Sequence, residues 1–349
     1  MDDDFRLRAA LPTIGWLTDR GAHVTACSHL GRPHGRPDPA YSMEPVRRRL
    51  AELAPGVELM ENLRFDPGEE DNYPAFVDRL VKGQDLYVND AFGSAHRAHA
   101  SIVGPPARLP SAAGRLLERE VEAIGSLLDH PARPFVAVIG GAKVGDKLEL
   151  LRSLLERADV LLVGGGMCFT FLAALGHDVG DSLLEPDQQD ACRQLLDSGR
   201  RIVVPTDVVA LSPGGGVAPG EGGSGTVRTT GRTIAAGWKG MDIGPATAAE
   251  FAEEIRPAGT VLWNGPMGVV EDARFAAGTR AVAEAVANCR GFTVVGGGDS
   301  ASALAHLGLA DAVDHLSTGG GATLQLIERG DLPGLAALRA APNAPGRQS

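Results

Sequence analysis

The chain has 349 residues, 44% hydrophobic and 22% charged; these are the proportions of a globular protein with a sizeable core, and the length points to two domains. Its net charge of −11 excludes nucleic acid as a bulk partner, because a phosphate backbone would be repelled over most of the surface. Any anionic ligand must therefore be gripped by a local basic cluster.

In chain order, the opening MDDDF lacks the basic and apolar regions of a secretory signal. Helical pattern fills Leu7 to Arg20, and the apolar VTAC that ends at Cys27 reads as a strand. Strand-like runs recur at LYV near Tyr87, FVAVI from Phe135, VLLVG from Val160, RIVVP near Val203, TVLW near Trp263 and FTVVG near Val295. Helical stretches at Leu116 to Leu128, Leu148 to Ala158 and Ala276 to Ala287 separate several of them, the rhythm of parallel α/β units. Val160 to Gly176 is uncharged and close to membrane-spanning length, but Gly164, Gly165 and Gly166 break it into strand, turn and buried helix. Ser212 to Thr230 reads as a Gly-rich loop with little structure, and the tail from Ala340 as disordered. The cysteines Cys27, Cys168, Cys192 and Cys289 show no CxxC or Cys/His ligand spacing, so neither a zinc site nor a disulfide framework is indicated, and a reducing, cytoplasmic setting is expected.

The expected fold class is α/β, with two lobes that each hold a doubly wound, Rossmann-like parallel sheet, joined by a hinge helix. The expected divisions are a lobe over 1–116, a connecting helix over 117–129 ahead of the proline-bearing DHPARP, a second lobe over 130–328, and a tail over 329–349 that returns toward the first lobe.

Phe135 to Lys147, FVAVIGGAKVGDK, carries the densest chemistry. A buried strand that ends in Gly140 and Gly141, with a helix starting from Val144, would gather backbone N–H groups and a positive dipole end where an anion fits. Lys143 and Lys147 would then share a helix face toward one phosphate, the alternative being an ordinary turn with solvated lysines. Gly140 and Gly145 have Walker A spacing, but Asp146 and Lys147 stand where that motif needs Lys and then Ser or Thr, so this is not a P-loop. Upstream, HLGRP at His29, NLRF at Asn62 and HRAH at His96 place Arg and His in loops after strands. Arg6, Arg32, Arg64 and Arg97 could converge there on a small, highly anionic ligand, each planar fork gripping a phosphate or carboxylate; taken singly, each also fits a surface salt bridge. At GGGDS, Gly296, Gly298 and Ala301 fit GxGxxA with Asp314 as a possible ribose acid, a dinucleotide reading; Asp299 at a helix start suits a Mg²⁺-nucleotide better, and an ordinary N-cap also fits.

These segments together resemble the phosphoglycerate kinase family, from Arg6 to about Leu338. The carrying strings are RLRAALPTI, SHLGRP, ENLRFDPGEE, YVNDAFGSAHRAHAS, VIGGAKVGDK, LLVGGGMCFTFL, GMDIGP, WNGPMGV, VVGGGDS and STGGGA, in family order. The resemblance implies an amino lobe that binds 3-phosphoglycerate or 1,3-bisphosphoglycerate and a carboxyl lobe that binds ADP or ATP with Mg²⁺. It implies a substrate site of Arg6, His29, Leu30, Gly31, Arg32, Arg64, His96, Arg97 and His99, with Arg6 and Lys143 stabilising the transferring phosphoryl group. For the nucleotide it implies Lys147, Gly165, Gly166, Asn264, Pro266, Gly268, Glu271, Gly297, Gly298, Asp299 and Ser300, with Asp299 on the metal. It further implies a cytoplasmic monomer, without membrane or nucleic-acid partners, whose hinge closes to bring the ligands together.

The chain departs from the family pattern in three places. The family's usual first strand, which supplies an Asp, an Asn and an Arg, is not seen; a strand-helix segment is absent between Ala54 and Val57; and Val270 and Ser300 replace the usual Phe and Thr. A catalytically impaired, nucleotide-binding relative is therefore the alternative expectation, and a nicotinamide-dependent dehydrogenase a third.

Overall fold

The computed structural model describes residues 4–220 and 222–342; the expectations for Met1 and for residues 343–349 lie outside them. The described chain divides into two compact units, one ending at Glu122 and resumed from Arg329, the other spanning Ala123–Glu328.

The amino unit opens with α1 (Phe5–Thr18), followed by β1 (Thr25–Ala26), α2 (Glu44–Leu53), β2 (Glu58–Leu59), α3 (Pro74–Val81), β3 (Tyr87–Asn89), α4 (Ala100–Val103) and β4 (Ser111–Ala113). Leu7 and Ile14, two turns apart on α1, pack with Met43, Leu50 and Leu59, while Leu63, Phe76, Val77 and Ala100 form a second cluster. The doubly wound parallel sheet expected of both lobes is continuous only in the carboxyl unit. In the amino unit the described strands form two separate parallel pairs, β1 with β2 and β3 with β4.

Helix α5 (Arg115–Asp129) begins where Asp90 caps it: Asp90 Oδ1 accepts the N–H groups of Leu116 at 2.8 Å and Leu117 at 3.2 Å, and Thr13 Oγ1 accepts that of Arg115 at 2.9 Å. These bonds satisfy orphan donors of the first turn. Leu117, Ile124 and Leu127 form its buried stripe, and the division between the units falls within this helix.

The carboxyl unit continues with β5 (Phe135–Ile139), α6 (Leu148–Arg157), β6 (Val160–Val163), α7 (Cys168–Ala174), α8 (Gln189–Leu196) and β7 (Ile202–Val203). Then follow β8 (Asp207–Leu211), β9 (Val227–Gly231), β10 (Lys239–Ile243), α9 (Pro245–Ile255), β11 (Thr260–Asn264), α10 (Ala277–Ala287), β12 (Phe292–Gly296), α11 (Gly298–His306), β13 (His315–Leu316) and α12 (Gly321–Arg329). The main sheet has the order β13-β12-β11-β5-β6-β7 and is parallel throughout. Every residue of β5, β6 and β11 is buried, as expected of strands covered by helices on both faces. The chain moves outward from β5 to β7 on one side and from β11 to β13 on the other, so the order reverses between β5 and β11. That is the switch point at which open α/β sheets leave a crevice beyond the strands' carboxyl ends. The Val160 to Gly176 run is indeed strand, turn and buried helix. Among the described residues no helix is long and apolar enough to cross a membrane.

One expectation needs correcting. The stretch Ser212 to Thr230 is not all loop: its last residues enter β9, which pairs with β8 in a three-stranded antiparallel sheet ordered β10-β8-β9. Before the tail, α13 (Pro333–Ala340) packs in the amino unit, with Gly334 N–H donating to Ala95 O at 2.8 Å and Ala341 buried beyond it; most of the tail expected to be disordered lies outside the described residues. A Cβ at Gly334 would come 2.9 Å from Ile102, so this contact needs a glycine.

Candidate active site

The switch point is occupied by an ammonium. Lys147 Nζ donates to Gly140 O at 2.6 Å and to Asn264 Oδ1 at 2.7 Å, bridging the turns after β5 and β11. Register aligns Asn264 with Ile139 on one side and Gly296 on the other, so Asn264 stands between the two glycine turns. Burial pushes the Lys147 pKa down to about 8, against the opposing charges of Asp299 and Asp146. A half-hidden cation beside the N-terminus of α11 is a place for phosphate.

Three loops are laced together around it by main-chain bonds. Gly140 N–H donates to Asn264 O, Gly141 N–H to Pro266 O, Gly165 N–H to Met267 O and Met167 N–H to Gly141 O. Two glycines make the approach possible. Gly165 has φ +67, and a Cβ there would fall 2.5 Å from Gly141 N; Gly265 has φ +95, and its Cβ would fall 2.4 Å from Gly140 O.

On the α11 side, Gly297 leads into the helix, Gly298 and Asp299 are exposed in its first turn, and Asp299 acts electrostatically on Lys147. Ser300 is buried and its hydroxyl accepts the Gly265 N–H at 2.7 Å, which ties α11 to the β11 turn. Beneath the Pro266–Gly268 turn lies Asp242, whose carboxylate accepts from Ile243 and Gly278 N–H and would collide with a Cβ on Gly268. Burial raises its pKa to about 7 despite those two donors. Glu271 is exposed, and its carbonyl accepts Gly220 N–H from the Gly-rich loop. Among the described residues no three His, Cys, Asp or Glu side chains group to hold a metal. The single carboxylate of Asp299 in the first turn of α11 suits Mg²⁺, which binds through one or two carboxylates, ligand phosphates and water.

Lys143 and Lys147 do not share a helix face, contrary to expectation. Gly145–Lys147 is a tight 3₁₀ turn and the α-helix starts only at Leu148, so Lys147 turns inward while Lys143 is exposed, without a partner among the described residues. The anion expected at this turn is supplied by the protein itself: Glu185 Oε2 accepts the N–H groups of Val144 at 2.6 Å and Gly145 at 3.1 Å. The dinucleotide reading also fails. Asp314 accepts the Thr293 N–H at 2.8 Å, at the amino end of β12, whereas a ribose acid belongs beyond a carboxyl end.

In the amino unit the basic and imidazole side chains feel one another's fields. His29 is pushed down to about 4 by burial, then by Arg64, Arg97, His99 and Arg6. His99 and His96 are lowered by burial and then by neighbouring arginines, and Arg97 is lowered by burial, Arg64 and Arg32. Arg64 is buried, donating from Nη1 to Gly31 O at 2.8 Å, with Nε 3.1 Å from Glu70. Arg97 Nη1 is buried and has no hydrogen-bond partner among the described residues. Surplus positive charge and a waiting donor together fit a small polyanion. Arg6 and Arg32 are exposed at its edge.

Residues that hold this site were missed in the sequence. Asn62 donates to Leu30 O at 2.7 Å and to Tyr41 O at 2.9 Å, pinning the His29–Arg32 loop, and Gly31 takes φ +63 with the Tyr41 ring where a Cβ would be. Glu61 accepts from Met43 and Asn62 N–H. Buried Glu69 binds the hydroxyl and N–H of Ser101 and lies 3.8 Å from His99 Nδ1. Glu61, Asn62 and Glu69 all stand in ENLRFDPGEE, but the string gives no local sign of their roles, because their partners lie across loops remote in sequence.

A parallel sheet with an ammonium and a glycine-turn crevice at its switch point, in a chain whose other unit gathers arginines and histidines, defines a two-unit α/β protein with a basic candidate site in each unit. The family model for phosphoglycerate kinase matches residues 1–58 and 54–330. The chain is 52% identical to the phosphoglycerate kinase of Salinispora arenicola, over 96% of this chain and 90% of that protein, and 50% identical to that of Rubrobacter xylanophilus over the same shares. Among solved structures, phosphoglycerate kinase from Coxiella burnetii superposes with a TM-score of 0.87 at 37% identity, covering 98% of this chain and 92% of that one. The chain belongs to the phosphoglycerate kinase family. It is a phosphotransferase by that membership, and the dehydrogenase reading is set aside.

Proposed function

We propose that this protein transfers phosphoryl reversibly between 1,3-bisphosphoglycerate and ADP, giving 3-phosphoglycerate and ATP, with Mg²⁺ on the nucleotide. The observation that carries the reading is the Lys147 ammonium bound to Asn264 at the switch point, in a chain of this family. Lys147 and the α11 turn, through Gly297 and Gly298, bind nucleotide phosphates. Gly165, Gly166, Pro266 and Gly268 line the base and ribose, and Glu271 receives the ribose hydroxyls. Asp299 would hold Mg²⁺, which when bound offsets phosphate charge. In the amino unit Arg32, Arg64 and Arg97, with His29, His96 and His99, bind the phosphoglycerate.

No protein nucleophile is needed. Catalysis consists of alignment, with Lys143 and Arg6 offsetting charge on the equatorial oxygens of the moving group. Each half-reaction partner binds its own unit, so we assign hinge motion to α5 and propose that the protein works as a cytoplasmic monomer.

Steady-state assay and calorimetry test this. Lys143→Ala should lower kcat by about 100-fold or more while the Kd for Mg-ADP changes by less than about threefold, because a charge acting mainly in the transition state contributes little to ground-state binding. Arg97→Ala should weaken 3-phosphoglycerate binding and leave Mg-ADP binding intact. Unchanged turnover in the first variant removes Lys143 from the mechanism; equal losses of both ligands in the second refute separate sites.

A further inference from the structure

Lys143 is an exposed side chain with no partner of its own among the described residues, so its placement rests on the backbone either side of it. Upstream, Gly141 is held by bonds to Pro266 O and from Met167 N–H. Downstream, Val144 is fully buried, and its N–H and that of Gly145 both point at one carboxylate oxygen of Glu185, at 2.6 and 3.1 Å. Glu185 is itself held, since its N–H donates to the hydroxyl of Thr170, a buried residue of α7, at 3.2 Å. Leu183, two residues earlier, lies along the same turns, where a Cβ on Gly166 would meet it at 3.0 Å. The segment before α8 therefore forms a bracket under the Lys143 turn.

Two N–H groups aimed at one point make a small anion site, and charge-assisted bonds to a carboxylate are about twice as strong as neutral ones. A glutamate there serves the turn in a second way. It fills the donors with an anion fixed to the fold, so they do not compete with Lys147 and the α11 turn for the phosphates. We propose that Glu185 is a positioning residue for phosphoryl transfer: its carboxylate sets the backbone of Val144 and Gly145, and so the Lys143 ammonium, before ligands arrive. This rests on the role given to Lys143 above.

The test is a double-mutant cycle on the full chain, assayed with Mg-ADP and 1,3-bisphosphoglycerate. Displacing a transition-state group by about 1 Å can cost about a hundredfold, so Glu185→Ala should lower kcat about 10- to 100-fold while the KM for Mg-ADP stays within about threefold. Glu185→Gln keeps an acceptor oxygen without its charge and should lose only about threefold. In a Lys143→Ala background both substitutions should change kcat by less than about twofold. A kcat unaffected by either Glu185 variant, or losses equal in both backgrounds, overturns the proposal. Should Glu185→Ala fail to fold, the Glu185→Gln arm decides alone, by whether its loss disappears when Lys143 is gone. Full turnover in Lys143→Ala itself would instead strike down the role of Lys143, and the proposal with it.

Discussion

Lys147 and Asn264, 117 positions apart in the chain, meet ammonium to amide oxygen at 2.7 Å. The contact closes the crevice between β5 and β11 and fixes which way the cation faces. Asn264 also has its amide nitrogen against Gly297, where an added Cβ would lie 3.1 Å away. One side chain thus sets the spacing of both glycine turns.

Asn264→Leu should accordingly weaken Mg-ADP binding by about 10- to 100-fold, the size of a lost hydrogen bond to a charged group, about 1.5–3 kcal/mol. Binding of 3-phosphoglycerate should be unaltered. Calorimetric titration with each ligand separately checks it; unchanged Mg-ADP affinity would mean that the Lys147–Asn264 bond does not shape the nucleotide site.

Gly265 and Gly308 both have positive φ, +95 and +69, but only Gly265 is crowded, with Gly140 O at 2.4 Å and Lys147 Nζ at 2.8 Å from a built Cβ, whereas nothing lies within 4 Å at Gly308. Gly308→Ala should cost about 1–2 kcal/mol of stability, the penalty of a left-handed backbone, and leave activity intact. Gly265→Ala should cost more and abolish nucleotide binding. Thermal unfolding with and without Mg-ADP separates the two; equal shifts would deny the close approach.

His29 is held neutral by burial and by the cations of Arg64 and Arg97, at about 4. A dianionic ligand offsets those cations and lets the imidazole accept a proton. Binding of 3-phosphoglycerate at pH 5.5 should therefore take up protons, measured as a dependence of the calorimetric enthalpy on buffer ionisation, and the uptake should shrink in His29→Gln. The same depressed value bears on folding. The unfolded chain takes up this proton near pH 6.5 and the folded chain only near 4, so the contribution to stability is present above 6.5 and is lost as pH falls toward 4. A binding enthalpy independent of buffer would contradict this.

Asp242 behaves in the opposite sense. Its folded value of about 7 lies above the ordinary carboxyl value of 3.8, because burial outweighs the N–H bonds from Gly278 and Ile243. Its contribution is greatest below pH 3.8 and is lost as pH rises through 7, by at most about 3 kcal/mol between pH 5 and 8. Asp242→Asn should be less stable at every pH for want of one acceptor, but its unfolding free energy should fall less between pH 5 and 8 than the parent's. Denaturant titrations at the two pH values decide it, and identical slopes would place the titration elsewhere.

The central strands of the carboxyl sheet were legible because a strand covered on both faces is a continuous apolar run, as FVAVI and VLLV are. The three-stranded sheet was not, since VRTTG in β9 is only half covered and reads as polar loop. Glycine turns and lysines announced an anion at Gly140, and the cation at Lys147 was found. The direction of Lys143 was not, because it turns on where a 3₁₀ turn yields to helix and on Glu185, 41 positions beyond Val144. Asn62 and Glu69 escaped for the same reason: nothing local marks a side chain whose partners are backbone atoms of remote loops.

Apart from Lys147 and Asn264, the crevice floor is built from peptide groups, laced from Gly140, Gly165 and Gly265, and peptide groups offer nothing for point mutation to exchange. Substitution there adds bulk where none fits. On the proposed function, any drift in base or sugar preference, in nature or under directed selection, would be confined to the rim, where Glu271 stands exposed and the loop ahead of β9 reaches its carbonyl through Gly220. A library meant to change which nucleotide is accepted should be randomised at that rim and leave the glycines untouched.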